Sequence, residues 1–308
     1  MIRLGLCCTF LNEPIHFKTT TATAVLRLTR TAALEKLAAL CLHNGAALLR
    51  ALEYCAAHGI GDFRINSQIL PLRTHPQAGY RVDELPHAQQ IRSVFRQCGR
   101  YAQEHGLRLT FHPDQFVVLN SPRAAVIASS IAELVYQAEV AEWVHADAIN
   151  IHAGGAYGDK PAALARLRQT LQQLPARVRQ RLTLENDDRI YTPRDLLPFC
   201  RSEQVPLVYD VHHHRCLPDA YTVAQATELA LATWNRPPLF HISSPKAGWG
   251  NPQAGRHHDH INPRDFPREW LRLDCTVEVE AKAKEVTVAR LAGYLRKHGA
   301  MASGKPLV

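Results

Sequence analysis

Residues 182–211 read LTLENDDRIYTPRDLLPFCRSEQVPLVYDV. Two short apolar runs, Leu182–Asn186 and Leu207–Val211, bracket a helical stretch, Pro193–Glu203. A strand, a helix and a second strand in close succession imply parallel pairing. The same alternation extends in both directions. Upstream lie the runs Ile2–Cys8, Asp62–Asn66, Leu107–His112 and Ala148–His152; downstream lie Leu239–Ser243 and Thr276–Glu280. Between them the spacing predicts helices over Ala32–Ala57, Ala88–Glu104, Ala125–Val144, Ala162–Arg179, Tyr221–Trp234 and Val286–His298. Eight such units predict a single TIM-type (β/α)8 barrel of the α/β class. An open doubly wound sheet is the alternative, but no Gly-rich phosphate turn follows the first run. No repeat, low-complexity tract or long linker divides the chain, so residues 1–298 read as one barrel domain and 299–308 as a loose tail.

The composition agrees with that reading. The 308 residues are 46% apolar and 21% charged, which excludes a disordered or collagenous chain. A chain of this length buries about three quarters of its unfolded surface and needs neither disulfide nor metal merely to fold. No apolar run approaches about 18 residues, so no membrane span is expected. The start, MIRLGLCCTF, does not read as a signal peptide. Eight cysteines without a CxxC pair read as reduced thiols of a cytoplasmic protein. A net charge of +8 gives a weak preference for a polyanionic partner.

The chemistry gathers where the runs end. The third closes on Phe111-His112-Pro113-Asp114-Gln115-Phe116 and the fourth on Asn150-Ile151-His152. The fifth gives Glu185-Asn186, the sixth Asp210-Val211-His212-His213-His214, the seventh His241 and the eighth Glu278-Val279-Glu280. In a barrel these ends converge on the catalytic face. One such residue is ordinarily a hydrogen-bonded core group. Six strands in succession are another matter, because buried carboxylates and imidazoles crowd unfavourably unless cations neutralise them. Glu185, Asp210, His241 and Glu280 suffice for one or two ions. His112 and His152 add imidazoles beside Glu185, and His213 and His258 add more near Asp210. Eight donors suit three ions. Mixed nitrogen and oxygen donors favour Mn2+ or Zn2+ over Ca2+. Carboxylate bridges would set neighbouring ions about 3.5–4 Å apart, the spacing that clamps a phosphodiester.

The stretches FRINSQILPLRTHP, FHPDQFVVLNSP, INIHAGGAYGDK, LENDDR, VYDVHHH, FHISSPK and VEVEAKAKE resemble, in unbroken order from about residue 2 to 287, those of the ultraviolet-damage endonucleases. That family is related to the trinuclear-metal abasic-site endonucleases. The resemblance implies a DNA-repair enzyme that nicks double-stranded DNA 5′ of ultraviolet photoproducts and some other lesions, leaving a 3′-hydroxyl. It implies three divalent ions, Mn2+ foremost with Zn2+ or Mg2+ as alternatives. His112, His152 and Glu185 would hold one; Glu185, Asp210, His241 and Glu280 the second; His213 and His258 the third. Glu185, Glu280 and His75 would be catalytic, His75 lying close to the scissile phosphate. Gln115 and Phe116 match the pair that probes the duplex at the lesion. Lys246, Arg256, Lys282 and Lys160 are candidates for the DNA backbone, and a monomer is expected. A sugar isomerase or epimerase on the same barrel is the alternative, but it leaves His112, His152, His213 and His258 idle. A non-catalytic metal or nucleic-acid binding protein would explain the charge but not donors placed on the catalytic face.

Five places remain open or depart from the family. Strand alternation puts His212 and His214 on the face of Asp210, whereas the resemblance points to His213 and a chain that leaves strand geometry there. The third-site histidine lies among His257, His258 and His260, where the family usually reads His-Ala-Asp. Some members carry a carboxylated lysine two residues before the strand-seven histidine; here Leu239 stands there, and Glu278 replaces an apolar residue two positions before Glu280. Glu278 either takes over the lost carbamate's charge or pairs with an interior cation such as Arg64. Leu6 and Phe116 stand where tyrosines occur in the family; at Leu6 this removes a hydroxyl from the site.

Overall fold

The computed structural model describes residues 1–299, so the tail expected over 299–308 lies outside the described residues except for Gly299. In chain order the elements are β1 (Arg3–Cys7), α1 (Ala22–Leu26), α2 (Arg30–Ala57), β2 (Asp62–Ile65), α3 (Ala88–Glu104), β3 (Arg108–Phe111), α4 (Ala124–Val144), β4 (Ala148–His152) and α5 (Lys160–Gln173). Then follow α6 (Ala176–Arg179), β5 (Leu182–Glu185), α7 (Pro193–Glu203), β6 (Leu207–Asp210), α8 (Val211–Cys216), α9 (Val223–Leu231), β7 (Leu239–Ile242), β8 (Thr276–Val279) and α10 (Lys284–Lys297). The eight strands pair in parallel, in sequence order, into a closed barrel, with β8 returning to β1 through Arg3↔Thr276 to Leu6↔Val279. The TIM-type (β/α)8 fold is therefore present.

Alternation along each strand sends one set of side chains outward and the other inward. The outward set (Leu4, Phe63, Phe111, Ile149, Leu184, Tyr209, Phe240, Val277 and their neighbours) is fully buried against the helices. Leu6 belongs to this apolar layer, so its place is in the core and not in the site; the outward register of that position is the reason. The expected single helix over Ala162–Arg179 is two, because Pro175 cannot donate and forces Leu174 into extended backbone (φ −70°, ψ 137°). By length and mean hydropathy (1.2 and 1.3), α2 and α4 would each suit a bilayer span, which amends the expectation of no such stretch. Here they flank α3 on the outside of the barrel.

The barrel interior is polar. Arg108 closes the floor, with its guanidinium on both Asp147 oxygens (3.0 and 2.9 Å) and on the Pro238 carbonyl (3.0 Å). Ala148, Val208 and Leu239 form a small apolar cluster with Trp234 beside it. One layer up lie Asp62, Thr110, Asn150, Thr183 and Glu278, all buried. Gly5 faces this layer for a steric reason: a Cβ there would stand 2.3 Å from Asp62 Oδ2 and 3.1 Å from Glu278 Cγ.

Candidate metal centre at the carboxyl ends of the strands

His152, Glu185 and Asp210 are the last residues of β4, β5 and β6; His241 is the last but one of β7; His112 and Glu280 follow β3 and β8 directly. Parallel strands of one barrel therefore bring all six to one end. Glu185, fully buried, is the hub. Its Oε2 lies 3.0 Å from His112 Nε2, and its Oε1 lies 3.2 Å from both His213 Nδ1 and His241 Nδ1. Asn150 Nδ2 donates to Oε2 from the layer below. Three groups have donor atoms within 4.8 Å of one another: His112 with His152 and Glu185; His112 with His241 and Glu280; and Glu185 with Asp210 and His213. The first matches a set expected from the sequence. The other two divide the expected residues differently, with His112 shared toward Glu280 and Asp210 grouped with His213.

The open choice at β6 has a local cause. Asp210 caps α8 by accepting from His213 N (2.8 Å), so the strand turns directly into a helix. An i, i+3 relation then puts His213 on the face of Asp210, and its Nδ1 meets the Asn186 carbonyl at 2.9 Å. His212 instead packs against Trp249 and His257, and His214 is held between Tyr209 Oη (2.7 Å) and Asp219 (3.1 Å).

His258 is not among the clustered donors. Its Nδ1 accepts from His260 N (2.9 Å), its backbone donates to Ser244, and it is absent from the three donor groups. His257, likewise outside the three donor groups, lies beside the cluster, with Nδ1 3.6 Å from Glu280 Oε2 and its ring 6.3 Å from that of His213. The Pro245↔His257 bridge turns residue 257 toward the mouth and residue 258 away, as alternation requires. The sequence carried the signal: His257-His258-Asp259 fits the His-Ala-Asp pattern in the register one residue earlier.

Charge in the cluster is only partly balanced by the protein. Burial alone would raise the Glu185 carboxyl, but the imidazoles of His241, His152, His112 and His213 hold it well below the usual range. Burial likewise disfavours charged His213 and His241, yet Asp210 and Glu185 lift the first, and Glu185 and Glu278 the second, well above the ordinary imidazole value. His152 is pushed down by burial. Arg64 Nη1 reaches Glu280 Oε1 at 2.7 Å and Glu278 Oε2 at 3.3 Å. Among the described residues, Glu185 and Asp210 have histidine partners but no lysine or arginine. Glu185 Oε1, Asp210 Oδ2, His152 Nδ1 and both His241 nitrogens are buried without a hydrogen-bond partner, as is Glu278 Oε2 beneath them, although buried polar atoms almost always have one. A convergent set of unpaired imidazole nitrogens and carboxylate oxygens fits divalent ions such as Mn2+ or Zn2+.

Glu278 takes up the second of its two expected roles, pairing with Arg64, and also lies 3.0 Å from His241 Nε2. It belongs to none of the donor groups, and Leu239 sits in the floor cluster beneath it.

The remaining expected residues surround this centre. His75 is half-buried in the loop after β2, where its Nδ1 accepts from Gln77 N (3.2 Å) and Ala78 N (3.1 Å). The neutral ring therefore carries its proton on Nε2. Gln115 and Phe116 are exposed at the tip of the loop after β3; Phe116 is 76% exposed, and a turn on Asp114 presents it. Lys246 and Arg256, joined by a backbone bond of 2.7 Å, line a cavity of about 560 Å³ beside Glu280 and His257. Lys282 lines it too, together with Arg64 and Lys284, which the sequence reading had not offered as contacts. Lys160 differs: its Nζ is tied to Asp195 at 2.8 Å.

The profile of the family described as UV-endonuclease UvdE matches residues 2–303. The chain belongs to that family. Among UvdE-type relatives, the UV DNA damage endonuclease of Bacillus mycoides (strain KBAB4) is 32% identical over 286 residues, covering 89% of this chain and 87% of that protein. The crystal structure of SacUVDE superposes with a TM-score of 0.87 at 27% identity, covering 98% of this chain and all (100%) of that one. The D-psicose 3-epimerase of Clostridium cellulolyticum H10 (TM-score 0.54, 13% identity, 81% of this chain and 91% of that one) shares the fold alone with this UvdE family member.

Proposed function

We propose that this protein is a metal-dependent DNA-repair endonuclease that hydrolyses the phosphodiester 5′ of an ultraviolet photoproduct, leaving a 3′-hydroxyl. The observation that carries the reading is the convergence of seven imidazole and carboxylate donors from six successive strands, five of their atoms buried and unpaired. His112, His152 and Glu185 would hold one divalent ion; Glu185, Asp210, His241 and Glu280 a second; His213, with His257 replacing His258, a third. Mn2+ is the leading candidate, ahead of Zn2+ and Mg2+. When bound, such ions supply positive charge for phosphate oxygens and acidify water.

The protein's own groups do the rest. Glu185 and Glu280 hold the centre together from β5 and from the end of β8. His75, with Nδ1 occupied by two backbone N–H groups, offers Nε2–H to a phosphate oxygen. Lys246, Arg256 and Lys282 draw the backbone to the mouth, an attraction that weakens with salt. Phe116 stacks and Gln115 fills space where bases are displaced; a photoproduct is already poorly stacked, so extruding it costs less than extruding normal bases. Eight unpaired cysteines suit a cytoplasmic location, and the protein is proposed to act as a monomer on duplex DNA.

The test is a nicking assay on irradiated and unirradiated plasmid with added Mn2+. Mn2+-dependent nicking of irradiated DNA that Glu185→Gln abolishes is expected. Failure of the wild-type protein to nick irradiated DNA refutes the proposal.

A further inference from the structure

Glu278 is buried under the donor layer and aligned with His241 across the β7–β8 ladder. Its position two residues before Glu280 turns it inward on the same face. Three strands meet at its carboxylate. Oε1 accepts from Thr110 Oγ1 on β3; Oε2 lies 3.0 Å from His241 Nε2 on β7 and 3.3 Å from Arg64 Nη1 on β2. The same Arg64 nitrogen continues to Glu280 Oε1 at 2.7 Å. The other nitrogen of His241 points the opposite way, 3.2 Å from Glu185 Oε1 and 3.4 Å from Glu280 Oε1. One ring nitrogen thus faces a carboxylate that lies outside the donor groups, while the other faces the cluster.

We propose that Glu278 is a positioning residue. It keeps the His241 proton on Nε2 so that Nδ1 presents its lone pair to the metal centre, and through Arg64 it fixes the angle at which Glu280 enters that centre. The inference rests on the metal-dependent reading above. Its physical basis is general: a ligating imidazole whose second nitrogen meets a carboxylate is locked in tautomer and orientation and is the stronger donor for it. Glu278 belongs to none of the donor groups: Thr110 occupies Oε1, and Oε2, which makes no hydrogen bond, faces Arg64 and the far nitrogen of His241 as an ion pair. The short reach needed to meet His241 from β8 explains why glycine is required at position 5, where any Cβ would crowd both Glu278 and Asp62.

The test uses the full-length protein stripped of metal and titrated with Co2+, read by its visible absorption, and with Mn2+, read by the loss of free-ion paramagnetic signal. Wild type, Glu278→Gln and Glu278→Met are compared. Glu278→Met should weaken one class of sites by about 10–100-fold and alter the Co2+ spectrum. Glu278→Gln, whose side-chain carbonyl offers Nε2–H an acceptor without the charge, should fall between Met and wild type. If Glu278→Met does not fold, a Glu278→Gln protein of wild-type affinity and spectrum overturns the proposal. Wild-type affinity in Glu278→Met overturns it as well, and so does a Gln variant no better than Met, which would leave charge and not orientation as the cause. A wild-type protein that binds no metal sinks this inference and the reading beneath it together. Normal binding with the expected Glu278 effects but no nicking of irradiated DNA refutes only the endonuclease reading.

Discussion

Divalent metal should stabilise the folded chain, and Glu185→Gln should remove most of that stabilisation. A ligand present at about 100 times its dissociation constant adds about 2.7 kcal/mol to the folded state. Unfolding entropy near the midpoint is about 2.1 cal/mol/K per residue. Over 308 residues this is about 0.65 kcal/mol/K, so each filled site raises Tm by about 4 °C. Three donor groups predict a rise of up to about 12 °C if they fill independently. Glu185 belongs to two of the three groups, so the Gln variant should retain no more than about one share, or 4 °C. The assay is calorimetric or fluorimetric melting of metal-free protein with and without saturating Mn2+. A wild-type Tm that ignores Mn2+, or a Glu185→Gln protein that shifts as far as wild type, refutes the assignment of the cluster as a metal centre.

Trp270→Ala should cost about 3–5 kcal/mol in a denaturant titration, because the indole is fully buried against Tyr209, Phe240 and Phe266 and donates to Thr227; a loss below about 1 kcal/mol would contradict this packing account. Phe116→Ala should leave stability within about 0.5 kcal/mol of wild type, yet weaken binding to irradiated duplex by about 1–3 kcal/mol in a gel-shift or anisotropy titration; equal binding would show that the ring does not stack. Asp219 is raised by burial, but N–H groups of Tyr221 and Arg194 and the His214 ring hold its carboxyl below the usual value. A depressed folded-state pKa contributes stability above the unfolded carboxylate value and loses it as pH falls through the folded one. Asp219→Asn should therefore destabilise at neutral pH and converge with wild type in acid, and a gap independent of pH would be inconsistent with that linkage. Replacing Lys246 or Arg256 by Gln should lower the salt slope of DNA binding by about one each while leaving lesion preference unchanged; an unaltered slope would remove that residue from the backbone contacts.

The barrel was legible because each strand carries an unmixed apolar outer face, and strand bounds differ from the sequence expectation by a residue or so. Pro193–Glu203 and Ala88–Glu104 form as read. Pro175 could have marked the break between α5 and α6, but the apolar spacing runs through it and hid the interruption. The donors at the strand ends were readable for the same reason as the strands: period-two alternation puts His152, Glu185, Asp210 and His241 inside. Alternation fails after Asp210, where a capping carboxylate converts strand to helix within one residue and brings residue 213 to the site. It also could not decide between His257 and His258, because that choice depends on an isolated bridge to Pro245 formed only when the long loop after β7 folds back. Pairing of Arg64 with two carboxylates at once is likewise a property of three-dimensional closure, not of spacing.

β1 supplies no donor to the centre, yet it is the stave that completes the hoop. β8, bearing Glu278 and leading into Glu280, leans on β1 along one side. Fraying of the first few residues would uncover Ile2 and Leu4 and leave that rib propped from one flank, freeing the carboxylates at its tip to drift. Extra sequence fused ahead of Met1 thus has a direct lever on the chemistry, although it lies at the opposite rim of the barrel.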